Sequence, residues 1–187
     1  MKNSVESLLE HDHESLDQLF VELDLALTRR DDARGFELLD LFWARLAIHI
    51  RAEHLHLFPA LSKAAPKPPV TSSTPTPEEV EKTLTRLRSD HDFFMKGLAQ
   101  LVKEARESGT GAGDFRKRLA EIRSRLEIHN EIEERQVYLW PSLLLDETTV
   151  DALEERVRLE LENMPPRFAA ENSVTVGLVS KAPGSSP

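Results

Sequence analysis

Along most of this chain, apolar residues recur at steps of three and four, the period of a helix with one buried face. Strand-like alternation is almost absent before residue 172. The pattern predicts a first helix from about Ser4 to Thr28, with Asn3 as N-cap and Glu6 as its capping-box partner. A second runs from about Asp32 to Phe58, where Pro59 should kink or end it. A third runs from Pro77 to about Glu107, opened by a capping box of Thr76 and Glu79 with Pro77 at its first position. Asp114 caps a fourth that reaches about Trp140, before Pro141. A fifth, shorter helix spans about Glu147–Asn163, with Val150, Leu153, Val157 and Leu161 on one face.

The segments between are of different kinds. Residues 64–77 form a Pro-rich polar linker, and "SGTGAG" (108–113) is a flexible loop. Residues 164–187 have no helical period and are expected to be a mostly disordered tail, with "SVTVGLV" (173–179) as the part able to pack or pair. The expected fold is all-α: an antiparallel up-down-up-down four-helix bundle, a short C-terminal helix and a flexible tail. The bundle would occupy 1–163, with the linker inside it, and the tail 164–187.

The bundle carries an internal repeat. "DHESLDQLFVEL" (12–23) aligns with "DHDFFMKGLAQL" (90–101) at an offset of 78, and His49 and Glu53 align with His129 and Glu133 at an offset of 80. The unit is a helical hairpin used twice. Each core-facing stripe is apolar except at one level. There the first and third helices offer His13 and His91, and the second and fourth offer His49 with Glu53 and His129 with Glu133.

Composition narrows the chemistry. The chain has 187 residues and a net charge of −9, against the basic surface that phosphate-backbone or anionic-membrane binding requires. It has no cysteine, which excludes disulfides, Fe–S clusters and thiolate zinc sites. No apolar run is long enough for a membrane span, and "MKNSVESLLEHDH" is too polar for a secretory signal. The expected location is the cytoplasm, with no nucleic-acid or membrane partner.

Buried carboxylates are costly unless paired or bound to a cation, and the stripes offer no cationic side chain. A His and a Glu four residues apart share one helix face and can reach one site. Four imidazoles and two carboxylates suit two metal ions. One ion would be held by His13 and His49 and the other by His91 and His129, with Glu53, Glu133 and a solvent-derived oxide or hydroxide as bridges. Nitrogen and oxygen donors without sulfur suit iron or manganese, and zinc also fits. Of the remaining candidates, His11 and His54 are expected in solvent and His56 at a helix end or beside the site. Glu133 rather than Glu134 falls on the stripe, and Tyr138 falls off it.

The pattern His…His-x-x-x-Glu, stated twice over four helices, with "DH" opening each repeat and "HIRAEHLHLFPAL" (49–61) around the first pair, resembles the hemerythrin-like, or HHE cation-binding, family. The resemblance covers about residues 1–145. It implies a non-haem di-iron (Fe–O–Fe) centre in a four-helix bundle, ligated here by His13, His49, Glu53, His91, His129 and Glu133. It also implies a small ligand such as dioxygen, peroxide or nitric oxide. Roles in the family include oxygen binding, oxygen or iron sensing, peroxide handling and repair of damaged iron centres; a non-enzymatic sensing or metal-handling module is the alternative reading. Oxygen carriers place a fifth His one turn after the His of the third helix. Met95 stands there instead, so the set is similar to that of the iron-centre-repair proteins, without their cysteine-bearing domain.

Overall fold

A computed structural model describes residues 4–64, 74–111 and 113–168. The expected cap at Asn3, most of the Pro-rich linker and the 173–179 segment lie outside these residues. Among the described residues the structure is helical, with no strand.

Helix α1, Val5–Thr28, is capped by Ser4, which forms a capping box with Ser7 in place of the Asn3/Glu6 pair expected from sequence. Ser4 does the same chemistry one residue later, because its hydroxyl reaches the third backbone N–H. Helix α2, Asp32–Ala52, packs along α1 and is capped by Asp31. Its end departs from expectation. It passes without a break through a π-helical turn, Glu53–Leu57, into α3, Phe58–Ser62. Pro59 does not end the helix, since the wide turn has already shifted the hydrogen-bond ladder: the Phe58 N–H donates to the Glu53 carbonyl, five residues back.

Helix α4, Pro77–Ser108, opens with the Thr76/Glu79 capping box that the sequence predicts. It ends at Gly109, whose φ of 79° suits glycine. The buried Thr110 that follows donates its hydroxyl to Asp32 at the start of α2, tying the two loop regions together. Helix α5 spans Phe115–Arg135 rather than reaching Trp140. Gln136, at φ −133° and ψ −67°, breaks it, and a 3₁₀ turn (Val137–Leu139) leads into the short α6, Trp140–Leu144. Asp114 precedes α5 without making a side-chain cap. Helix α7, Glu147–Leu161, is capped by Asp146, packs on α1 and α2, and buries Leu153 and Val157. The beginning of the expected tail is also packed: Met164 and Phe168 are buried against Leu41 and Ile48 of α2.

Besides the small cluster at Met164 and Phe168, two larger apolar clusters fill the interior among the described residues. One holds Leu16, Phe20, Leu46, Phe94 and Leu126 near the α1–α2 and α4–α5 turns. The other holds Leu9, Ala52, Leu57, Leu87 and Tyr138 toward the opposite end. Each fully buried Leu or Phe contributes about 1.5–3 kcal/mol. Between the clusters lies a thin polar layer. His13 sits between Leu9 and Leu16, and His91 between Leu87 and Phe94, so the two clusters hold the polar residues like the faces of a clamp.

Candidate metal centre

The polar layer contains His13, His49, Glu53, His91, His129 and Glu133, all between 0% and 3% exposed. The inner nitrogens meet in two pairs. His13 Nε2 is 3.1 Å from His49 Nε2, and His91 Nε2 is 2.8 Å from His129 Nε2. The two carboxylates lie between the pairs. Glu53 places Oε1 3.6 Å from His49 Nε2 and Oε2 3.3 Å from His91 Nε2. Glu133 places Oε2 3.5 Å from His13 Nε2 and Oε1 3.1 Å from His129 Nε2. Each carboxylate therefore turns one oxygen to each histidine pair.

These separations suit residues that could hold a metal ion. Donors held about 2.1 Å from one ion stand roughly 3 Å from one another. The sets His13, His49, Glu133 and His91, His129, Glu133 each place one donor atom per residue within 4.8 Å of the others. Glu53 Oε2 and Glu133 Oε1 are buried without a hydrogen-bond partner, an expensive arrangement for carboxylate oxygens unless a cation meets them.

The outer nitrogens are fixed by a surrounding shell. Asp12 accepts from His49 Nδ1 at 3.0 Å and from Arg45 Nε at 2.9 Å. Asp90 repeats this with His129 Nδ1 at 3.4 Å and Arg125 Nε at 2.9 Å. Glu134 accepts from His13 Nδ1 at 2.7 Å. A carboxylate only accepts, so each of these three rings donates outward from Nδ1, which leaves Nε2 as the atom that faces a metal ion once it carries no proton. The fourth ring, His91, meets His54 Nε2 at 2.9 Å through its Nδ1.

Charge follows the same plan. Burial would raise Asp12, but the His49 hydrogen bond and the Arg45 guanidinium outweigh it and hold the carboxyl below its ordinary range. Asp12 and Asp90 are balanced by Arg45 and Arg125, whereas among the described residues the basic groups beside Glu53 and Glu133 are the layer's own histidines. Burial and the Glu133 charge push Glu53 well above the usual carboxylate range. Burial acts on Glu133 in the same direction, yet His129, His13 and His91 prevail and hold it well below. Burial lowers His13, but its bonds to Glu133 and Glu134 outweigh that and raise it to about 9.

A family model, the hemerythrin HHE cation-binding domain, matches residues 4–140. The chain belongs to the hemerythrin HHE family. Neither curated proteins nor solved structures give a match. The HHE match runs from the cap of α1 to Trp140, past the end of α5, and takes in every residue of the polar layer.

Other residues of this HHE domain fall where the sequence did not place them. His54 is a correction: helical geometry put it in solvent, but it is half-buried against His91. The π-helical turn that begins at Glu53 rotates it inward. Tyr138 is a second. It is fully buried in the layer, donating its hydroxyl to Glu53 Oε1 at 2.8 Å, because the break at Gln136 re-aims the chain. That break also leaves Gln136 itself exposed. Helical periodicity gives no place in the site to Asp12, Asp90, Arg45 and Arg125 either. Their signal is present in the repeat: "DH" opens both units, and an Arg stands four residues before His49 and before His129. His56 turns away from the layer toward α7, 3.5 Å from Glu160, and His11 is exposed beside Glu14. Met95, at the place of the oxygen carriers' fifth His, packs half-buried against the apolar cluster.

No described helix is long and apolar enough to cross a membrane.

Proposed function

We propose that this chain is a non-haem di-iron protein whose four long helices run up-down-up-down within a domain covering residues 1–163. His13 and His49 would hold one ion and His91 and His129 the other, with Glu53 and Glu133 shared between them. The observation that carries this reading is the pair of fully buried carboxylates, each facing both histidine pairs and each with one oxygen lacking a hydrogen-bond partner. Uncompensated, each such charge would cost about 3–5 kcal/mol. Two cations remove that cost.

Iron bound there would supply redox chemistry toward a small ligand: dioxygen, peroxide or nitric oxide. The residues of the chain do the rest. Asp12, Asp90, Glu134 and His54 hold the four rings in orientation. Phe58 stacks on His91 at 5.9 Å and 4°, and Phe94 meets His129 edge-on at 5.2 Å, keeping the layer dry. The acidic chain, in this reading a cytoplasmic protein, has neither a nucleic acid nor a membrane as partner.

Metal content together with electronic spectra in the oxidised and reduced states tests the reading. Two irons per chain with a redox-sensitive spectrum are expected. A folded protein that remains iron-free after reconstitution, or that holds only zinc, refutes it.

A further inference from the structure

The internal repeat makes the two halves of the site comparable position by position. Five residues after each bridging carboxylate comes an aromatic: Phe58 after Glu53 and Tyr138 after Glu133. In a regular helix the fifth residue points away from the first. Here the π-helical turn at 53–57 and the break at Gln136 bring both aromatics back over the polar layer. Phe58 lies flat on His91. Tyr138 lies at 40° to His13, with ring centroids 5.5 Å apart. The halves share a shape at this position, and only one of them carries an oxygen.

That oxygen is placed among donors of one ion only. Tyr138 Oη is 3.1 Å from His13 Nε2, 3.3 Å from His49 Nε2, 2.8 Å from Glu53 Oε1 and 3.2 Å from Glu133 Oε2. All four atoms belong to the His13/His49 side. The carboxylate oxygens that turn toward the other histidine pair, Glu53 Oε2 and Glu133 Oε1, are the two without hydrogen-bond partners. A separation of roughly 3 Å from each of four ligand atoms is the spacing of a fellow ligand on one ion. A phenol with no role but packing would not be expected to bury its hydroxyl among two imidazoles and two carboxylates.

We infer that the Tyr138 oxygen is a direct ligand of the ion held by His13 and His49, which makes the two metal positions chemically unequal. This rests on the di-iron reading above. On coordination the O–H bond is replaced by an O–metal bond, and the proton, shared beforehand with Glu53, leaves to solvent with no change of oxidation state. The His91/His129 ion faces Phe58, which has no donor, so the position open to a small ligand belongs to that ion.

Tyr138 is the only tyrosine in the chain, which makes the test direct. Native protein reconstituted with iron is analysed for metal content, visible absorption and resonance Raman scattering, alongside Tyr138→Phe and native protein grown on ring-deuterated tyrosine. Expected are a phenolate-to-iron(III) charge-transfer band in the native protein, ring modes that shift on deuteration, and loss of the band in Tyr138→Phe with iron still bound. Two irons per chain without a phenolate band overturn the inference and leave the di-iron reading standing. A band that survives in Tyr138→Phe also overturns it. A folded chain that takes up no iron overturns both. If Tyr138→Phe fails to fold, the isotope shift in the native protein decides alone.

Discussion

Asp12 touches no proposed metal position, yet its substitution should weaken metal binding. Its Oδ2 accepts from His49 Nδ1 at 3.0 Å and its Oδ1 from Arg45 Nε at 2.9 Å. Both neighbours are donors. In Asp12→Asn the amide can satisfy one of them with its oxygen, and its NH₂ then faces the other. Either choice removes a charge-assisted bond, a loss of about 1.5–3 kcal/mol. Outer-shell partners of this kind are worth about 10–100-fold in metal affinity, or about 1.4–2.7 kcal/mol. The two halves should not respond equally. Asp12 is 2% exposed and sits 3.0 Å from its ring, while Asp90 is 7% exposed and 3.4 Å from His129. Asp12→Asn is therefore expected at the upper end of the range and Asp90→Asn at the lower. Anaerobic titration with ferrous iron against a competing chelator measures both, with circular dichroism confirming the fold. The exposed Asp24→Asn is the control. An Asp12→Asn affinity within about twofold of native, or equal to that of the control, would refute the outer-shell role.

Two further outcomes are expected. His91→Ala should remove one of the two irons, whereas His54→Ala, which deletes only the partner of His91 Nδ1, should lower affinity by about tenfold and leave both ions bound at saturating metal; equal losses of metal content, read by elemental analysis, would contradict the assignment. The pH dependence has opposite signs with and without metal. His13, raised from 6.5 to about 9, stabilises the metal-free bundle fully below 6.5, and that contribution is lost as pH rises through 9. To bind metal, His13 must give up the same proton, so metal affinity should climb with pH until about 9 and then level off. The difference in melting temperature between loaded and metal-free protein should widen across this interval, and calorimetry at several pH values would show a constant difference if His13 is not a ligand.

The six candidate ligands were legible because they interrupt apolar stripes that obey one period over four helices. His13, His49, Glu53, His91, His129 and Glu133 lie where uninterrupted helical geometry puts them. What the sequence concealed lies after each bridging carboxylate, where that geometry stops. Counting by 100° per residue sends His54 and Tyr138 to the wrong face, since the wide turn at 53–57 and the break at Gln136 each change the rotation. The shell residues were hidden for another reason. Asp12 and Asp90 point off their own stripes and reach a histidine on the neighbouring helix, a contact between helices that periodicity within one helix cannot express. The capping boxes divide in the same way. Thr76 is fixed by Pro77 and Glu79 beside it, whereas at the start of α1 several polar residues compete and Ser4 prevails.

Duplication explains the frame, and two register positions explain how its halves differ. Histidines, bridging carboxylates and the Asp–Arg shell recur in both repeats. The residue one after each bridge differs, Glu134 behind His13 but His54 behind His91. So does the residue five after it, Tyr138 against Phe58. A carboxylate behind one ring raises that ligand's basicity more than a neutral imidazole does. Both differences would place more donor strength on an ion held by His13 and His49. If these positions are the source of the inequality, Glu134→His combined with Tyr138→Phe makes the halves alike. Mössbauer spectra of the oxidised native protein should then show two distinct iron environments, and the double variant should bring them together. Two environments that persist unchanged in the double variant would mean that the asymmetry arises elsewhere, in the unequal chain paths of the π-helical turn and the Gln136 break.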